Sequence, residues 1–289
     1  MNTKSLAKIT LLALGLSFMT THGFAKDKLV IPSKPQRRAP LFIALHGCMT
    51  DASEAERTTR MTEFGEKNGF YVYYPEPELG SDSQGCFNFY MPEAQSPGGG
   101  DAAAIIRKVD DLLKRYDIDE RKIYLLGMSA GGSLISVLTS CYPDYFAGAA
   151  IHSGMGYGLV SDWQEGLRTA SLGPNPTRPR NLTCLPTNYQ GKIFLAQGSN
   201  DPVMNPRHFS ALKKDYLQGT SKKVERIRNS VHRLGYRREY FYKNGSMVGQ
   251  TLYVVGMNHD WSGSQPLNFF SPRGPDVSQM IVDFFLNEE

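Results

Sequence analysis

The chain has 289 residues, 40% of them hydrophobic and 21% charged, with a formal net charge of +4. Two of its basic residues, Lys4 and Lys8, lie in the first 25, which hold no Asp or Glu, so the remainder carries +2. That near-balance, with no dense basic tract interleaved with aromatics, argues against a nucleic-acid binder.

The N-terminus reads as an export signal. Lys4 and Lys8 precede a short apolar stretch from Leu11 to Met19, and Gly23 and Ala25 offer the small residues that signal cleavage requires. Residues 1–25 are therefore expected to be removed, leaving 26–289 as a single α/β domain in a secreted or periplasmic protein. The apolar stretch is too short to span a bilayer comfortably, and no later segment comes closer, so no membrane span is expected in the mature chain.

From residue 40 apolar runs alternate with helix-like segments. "PLFIALHG" reads as a buried strand, "SEAERTTRMTEFGEKNG" as one amphipathic helix closing at Gly69, and "FYVYYPE" as the next strand. In "GGDAAAIIRKVDDLLKRYDI", Ala103, Ile106, Val109, Leu112 and Leu113 recur at helical spacing, with Asp101 placed to cap the helix. "RKIYLLG", "FAGAAIHSG", "GKIFLAQGS" and "TLYVVGMNH" are four more strands, whose near-continuous hydrophobicity suits a parallel sheet covered on both faces. Residues 154–190, rich in proline, read as an excursion over the sheet. "KKVERIRNSVHRLGYRREY" reads as a solvated helical face, and Asn244-Gly245 as the turn of a tight hairpin. Strand–helix alternation of this kind predicts a mostly parallel sheet with helices on both faces.

The stretch "LLGMSAGGSL", residues 125–134, joins a strand to a helix through Gly-x-Ser-x-Gly. A nucleophile elbow needs that order, because the sharp turn exposes the serine hydroxyl at the carboxyl edge of the sheet. Ser129 is the candidate nucleophile, and the N–H of Ala130 points where an oxyanion would form. A serine needs a base beside it. His22 leaves with the signal, His46 sits in a turn better suited to an oxyanion loop, and His208 and His232 read as surface residues. His152 ends a strand and competes with His259, which follows the last strand. The chain order nucleophile, acid, base favours His259. Asp201, in the turn after "KIFLAQ", is the acid. Asp162 and Asp215 read as solvated charges, and Asp260 points elsewhere. The second oxyanion donor is expected from the N–H of Cys48, in the loop after "LFIAL".

Four cysteines remain after export, an even count that suggests two disulfides in an oxidising compartment. Cys48 and Cys86 follow neighbouring strands and open on one sheet edge, so they are paired here. Cys141 then pairs with Cys184, tying the helix after the elbow to the excursion. No metal site is expected, since no CxxC and no histidine pair at metal spacing occurs, and no cofactor is called for.

In order, "LHGC", "YVYYPE", "CFNFY", "GMSAGG", "GSNDPVMNP", "GMNHDWSG" and "GPDVSQMIVDFFL" resemble the secreted poly(3-hydroxybutyrate) depolymerase family of esterases, related to feruloyl and acetylxylan esterases. The resemblance runs from about residue 38 to 287. It implies an α/β-hydrolase fold, no metal, and the same three catalytic positions. Phe87 and Phe89 stand where the family usually has tryptophans. Asp260 precedes Trp261, and Ser264 replaces a glycine, changes that bear on the substrate pocket. Phe87, Phe89, Tyr90, Tyr157 and Trp261 are candidates for an apolar cleft or for ordinary core. Trp261, two residues from the base, is the expected substrate contact. The expected partner is an ester: poly(3-hydroxybutyrate) or its oligomers, with a feruloyl or acetylxylan ester as the alternative. A non-catalytic binding protein on the same scaffold is the rival from another class, but it would have no need of Ser, Asp and His on three such loops.

Overall fold

The computed structural model describes residues 27–78, 85–177, 179–180, 182–228, 233–263 and 270–287. The expected export signal, His22, His232 and Ser264 lie outside them. In chain order the strands are β1 (Lys28–Val30), β2 (Ala39–Leu45), β3 (Tyr71–Tyr74), β4 (Ile118–Met128), β5 (Gly148–His152), β6 (Lys192–Gly198), β7 (Ser221–Ile227), β8 (Tyr236–Lys243) and β9 (Ser246–Val254). The helices are α1 (Ala52–Thr59), α2 (Met61–Asn68), α3 (Gly100–Arg115), α4 (Ala130–Cys141), α5 (Trp163–Leu172), α6 (Arg207–Leu217) and α7 (Val277–Leu286).

These nine strands join one sheet in the order β1-β3-β2-β4-β5-β6-β9-β8-β7, and among the described residues Trp261–Ser262 and Phe270–Ser271 form a separate two-stranded parallel pair. The six central strands run parallel, while β1 and the β7–β8 pair add antiparallel edges. Along β2, Leu41, Ile43 and Leu45 join the core on the α3, α4 and α6 side. Phe42 and Ala44 point the other way, under α1, α2 and α7. Every residue of β2 is buried, which is why that strand reads as unbroken hydrophobicity rather than alternation.

Four expectations need correction. The stretch after β2 is two helices: Arg60 adopts φ +53°, its N–H closes α1 on the Glu56 carbonyl, and its guanidinium pairs with Asp276. Asp101 does not cap α3, whose cap is Gly99. Its buried carboxylate instead accepts the N–H groups of Glu78 (2.9 Å) and Asn88 (2.7 Å), fastening the chain ahead of the helix. The basic segment is not helical in its described residues. Its described residues include β7, exposed along its whole length, and the start of β8. Lysines on an exposed edge strand discourage pairing with another sheet. Residues 154–190 contain a helix, α5, that composition concealed. At the β8–β9 turn, Asn244 and Gly245 take φ +52° and +84°, the left-handed pair that an Asn-Gly hairpin turn needs.

Two disulfides are present, Cys48–Cys86 and Cys141–Cys184. The first braces the loop after β2, and the second ties the end of α4 to the excursion.

Candidate active site

β4 ends at Met128, and Ser129 turns the chain into α4 with φ +58° and ψ −119°, a conformation that L residues avoid. The surroundings hold it there. Its N–H donates to the His152 carbonyl at 3.0 Å, and its own carbonyl accepts the N–H and the hydroxyl of Ser133, both at 2.9 Å. The glycine at 131 is compelled: a Cβ there would lie 2.4 Å from the Leu45 carbonyl oxygen and 2.5 Å from that of His46. Strain of this kind collects at functional sites, where packing over-determines the backbone.

The loop after β2 lies against the serine, since a Cβ on Gly47 would sit 3.4 Å from Ser129 Cβ. The Gly47 carbonyl accepts the Thr50 hydroxyl at 2.8 Å and meets His46 Nδ1 at 2.7 Å. In a trans peptide the N–H lies opposite the carbonyl. Pinning the Gly47 oxygen therefore turns the Cys48 N–H to the other side of that peptide. Ala130 opens α4, where the first N–H groups have no acceptor within the helix.

Asp201 follows β6 and is buried. Its Oδ1 accepts the N–H groups of Val203 (2.9 Å) and Met204 (2.8 Å). Its Oδ2 accepts Gln197 Nε2 at 3.0 Å and His259 Nδ1 at 2.8 Å. Burial alone would raise this carboxyl, but the hydrogen bond and charge of His259, helped by the Met204 N–H and the Ser153 hydroxyl, hold it below its ordinary value. The carboxylate can only accept, so His259 carries its proton on Nδ1 and leaves Nε2 free for a substrate-side partner.

The competitor His152 is placed differently. It is 1% exposed, its ring stacks on Trp261 with centroids 5.1 Å apart, and its Nε2 has no partner among the described residues. Burial first, then the nearby charge of His259, drives its pKa down to about 3. Asp201 is paired with His259, not with His152. His208, read as a surface residue, is in fact fully buried, with Nε2 2.8 Å from the Thr169 carbonyl at the end of α5. Neither remaining aspartate is simply solvated: Asp162 caps α5 through the Glu165 N–H, and Asp215 is paired with Arg180 at 2.7 Å.

Ser129 and His259 open on one cleft of about 330 Å³, which Gly47, Cys48, Ala130 and Trp261 also line. Trp261 is only 1% exposed and donates from Nε1 to Ser278 Oγ at 2.9 Å. It backs the cleft rather than standing in it. Phe89 lines the cleft, whereas Phe87 is core against the His46 ring. Tyr157 is core too, its hydroxyl donating to the Gln95 carbonyl at 2.6 Å and accepting the Cys184 N–H at 3.1 Å.

Sequence reasoning missed one wall. Trp163, Gly166, Leu167 and Ala170 of α5, at helical spacing, face the cleft. A signal was present: Asp162 caps the helix, Glu165 reaches back to the Ser161 N–H, and Gly173 ends it. Gln197, which donates to the Asp201 carboxylate, had no sequence signal.

Residues 27–165 match the family model described as Esterase PHB depolymerase. Poly(3-hydroxyalkanoate) depolymerase C of Paucimonas lemoignei is 28% identical over 254 residues, 84% of this chain and 60% of that one. This chain thus spans 60% of the depolymerase's length, less than two thirds. Feruloyl esterase B of Neurospora crassa is 28% identical over 257 residues, 83% of this chain and 85% of its own. Among solved structures, acetyl xylan esterase from Aspergillus awamori superposes with a TM-score of 0.67 at 19% identity, covering 90% of this chain and 93% of that one, a likeness of fold. The fold is that of the α/β-hydrolase esterases, and residues 27–165 carry an Esterase PHB depolymerase domain whose relatives include a PHA depolymerase and feruloyl and acetylxylan esterases.

Proposed function

We propose that the chain is a serine carboxylic ester hydrolase in which Ser129 attacks the ester carbonyl. His259 takes the serine proton on Nε2 and returns it to the leaving alcohol, while Asp201 fixes the imidazole tautomer and stabilises the imidazolium. The N–H groups of Ala130 and Cys48 receive the tetrahedral oxyanion. Water then attacks the acyl-enzyme with His259 again as base, releasing the acid and restoring Ser129. The observation that carries this reading is the 2.8 Å pair of His259 Nδ1 and Asp201 Oδ2, opening on the cleft that also holds the strained Ser129. No metal or cofactor has a part in these steps.

The substrate class follows from the lining. Met128, Met155, Met204, Trp163, Leu167 and Phe89 make the cleft apolar, which favours an aliphatic polyester, poly(3-hydroxybutyrate) or its oligomers. A feruloyl or acetyl ester of a polysaccharide is the second reading, favoured by the near-complete span of the Neurospora crassa feruloyl esterase. Trp261 acts by backing the catalytic loop. Two disulfides fit an oxidising compartment, which supports export to the periplasm or medium. No described helix is long and apolar enough to cross a membrane.

The test is hydrolysis of a hydroxybutyrate trimer, amorphous polymer, methyl ferulate, acetylated xylan and short nitrophenyl esters, with Ser129→Ala alongside. Preference for the hydroxybutyrate substrates, lost in the variant, is the expected result. Preference for ferulate or acetyl groups would keep the triad and overturn the substrate. Unchanged turnover by Ser129→Ala would refute the mechanism.

A further inference from the structure

Gly166 stands in the interior of α5 and is the one buried residue of that helix. Glycine is the poorest helix former after proline, so its presence needs a reason. The two usual reasons are absent. Its backbone is not among those with positive φ. Close backbone approach does not demand it either, for a Cβ built there meets nothing nearer than Tyr90 Cβ at 4.0 Å, an ordinary contact. The contrast with Gly131, whose Cβ would fall 2.4 Å from a carbonyl oxygen, is direct. A Cβ on Gly166 would therefore rest in ordinary contact with Tyr90 and meet nothing else within 4 Å, and Gly166, itself buried, lines the cleft that holds Ser129 and His259. Trp163 and Ala170, one turn to either side, and the adjoining Leu167 give it apolar walls.

We propose that Gly166 is a specificity-determining residue, whose missing side chain keeps open a recess for a bulky apolar group, branched, long or aromatic, of the ester substrate. This rests on the esterase reading of the same cleft. The recess has no charged lining residue on α5, so the group it takes is uncharged. An acetyl ester does not need it; a longer acyl chain or an aryl acid does.

The experiment compares the wild type, Gly166→Ala and Gly166→Leu on nitrophenyl acetate, nitrophenyl octanoate and methyl ferulate, with Tm measured for each. Filling a recess that substrate needs costs about tenfold or more in kcat/KM. We expect Gly166→Leu to lose that much on octanoate and ferulate, and to stay within about twofold on acetate. Gly166→Ala should raise Tm by about 2 °C, because a better helix former enters without a clash. An unchanged octanoate-to-acetate and ferulate-to-acetate ratio in Gly166→Leu would overturn the proposal, as would a fall in Tm for Gly166→Ala. Calorimetric binding of octanoate and ferulic acid to Ser129→Ala, with and without Gly166→Leu, reads the recess without turnover. About tenfold weaker binding supports it and equal binding refutes it. Failure of all hydrolysis by the wild type would count against the esterase reading alone.

Discussion

The carboxyl edge of the sheet and the α5 wall border the same cleft but are built by different rules. At the edge, backbone touches backbone. Ser129 is held at φ +58° by the His152 carbonyl and by Ser133, Gly131 passes within contact of two carbonyls of β2 and its loop, and Asp201 accepts four hydrogen bonds. On α5 only one residue is buried, Leu167 and Leu172 are 53% and 62% exposed, and a Cβ on Gly166 would meet only Tyr90 Cβ, at 4.0 Å. Reacting groups must be held to fractions of an ångström, and central strands supply that rigidity. Selectivity asks only for a wall of suitable shape, which a lightly packed helix can supply and vary.

The largest effect should come from the edge. Asp201→Asn leaves the packing in place but removes the carboxylate that fixes the His259 tautomer, and kcat should fall by about 10⁴. A loss below tenfold, by steady-state kinetics with the fold checked by circular dichroism, would mean that the pair at 2.8 Å is structural.

The next contrast concerns the tether of the wall. Cys141–Cys184 anchors the excursion that contains α5. Replacing both cysteines by serine should cost about 2–5 kcal/mol of stability, while kcat on a short ester changes little in the protein that remains folded. A comparable drop in kcat on acetate would show that the edge depends on the wall.

Gly131→Ala drives a methyl against the Leu45 and His46 carbonyls, and overpacking at such a site costs about 1–3 kcal/mol. Chemical denaturation should show it. Equal or greater stability would break the contrast with Gly166, where the same substitution is expected to stabilise.

The last effect is a slope. His152 stays neutral in the fold down to about 3, whereas its ordinary value is 6.5. Between those values the unfolded chain binds a proton that the folded chain refuses, so this residue lowers stability as pH falls through that window. Below about 3 both states are protonated and its contribution stops changing. His152→Phe, which keeps the ring against Trp261, should flatten the dependence between pH 4 and 6. An unchanged slope in denaturation series would mean that the imidazole is protonated within the fold.

The same division explains what the sequence could tell. Ser129, Asp201 and His259, the proposed elbow, acid and base, lie in short turns after strands, and hydrophobic runs mark those strands plainly, so strand ends and chain order were enough to propose them. The pairing of Cys48 with Cys86 follows from strands that end on one edge. By contrast, α5 packs through few residues, so its periodicity is faint beside its prolines. Its caps at Asp162 and Gly173 were the legible part. The break at Arg60 was hidden because a non-glycine residue takes the left-handed turn. The β7 segment reads as a helical face because its charges, serving a solvated edge, follow no buried side.

The most direct test of the account is labelling of the folded protein with an organophosphonate ester, followed by peptide mass mapping. The account predicts a single stoichiometric adduct on Ser129, absent from Ser129→Ala and greatly slowed in His259→Ala. No adduct, or an adduct on another residue with turnover lost in step, would contradict it.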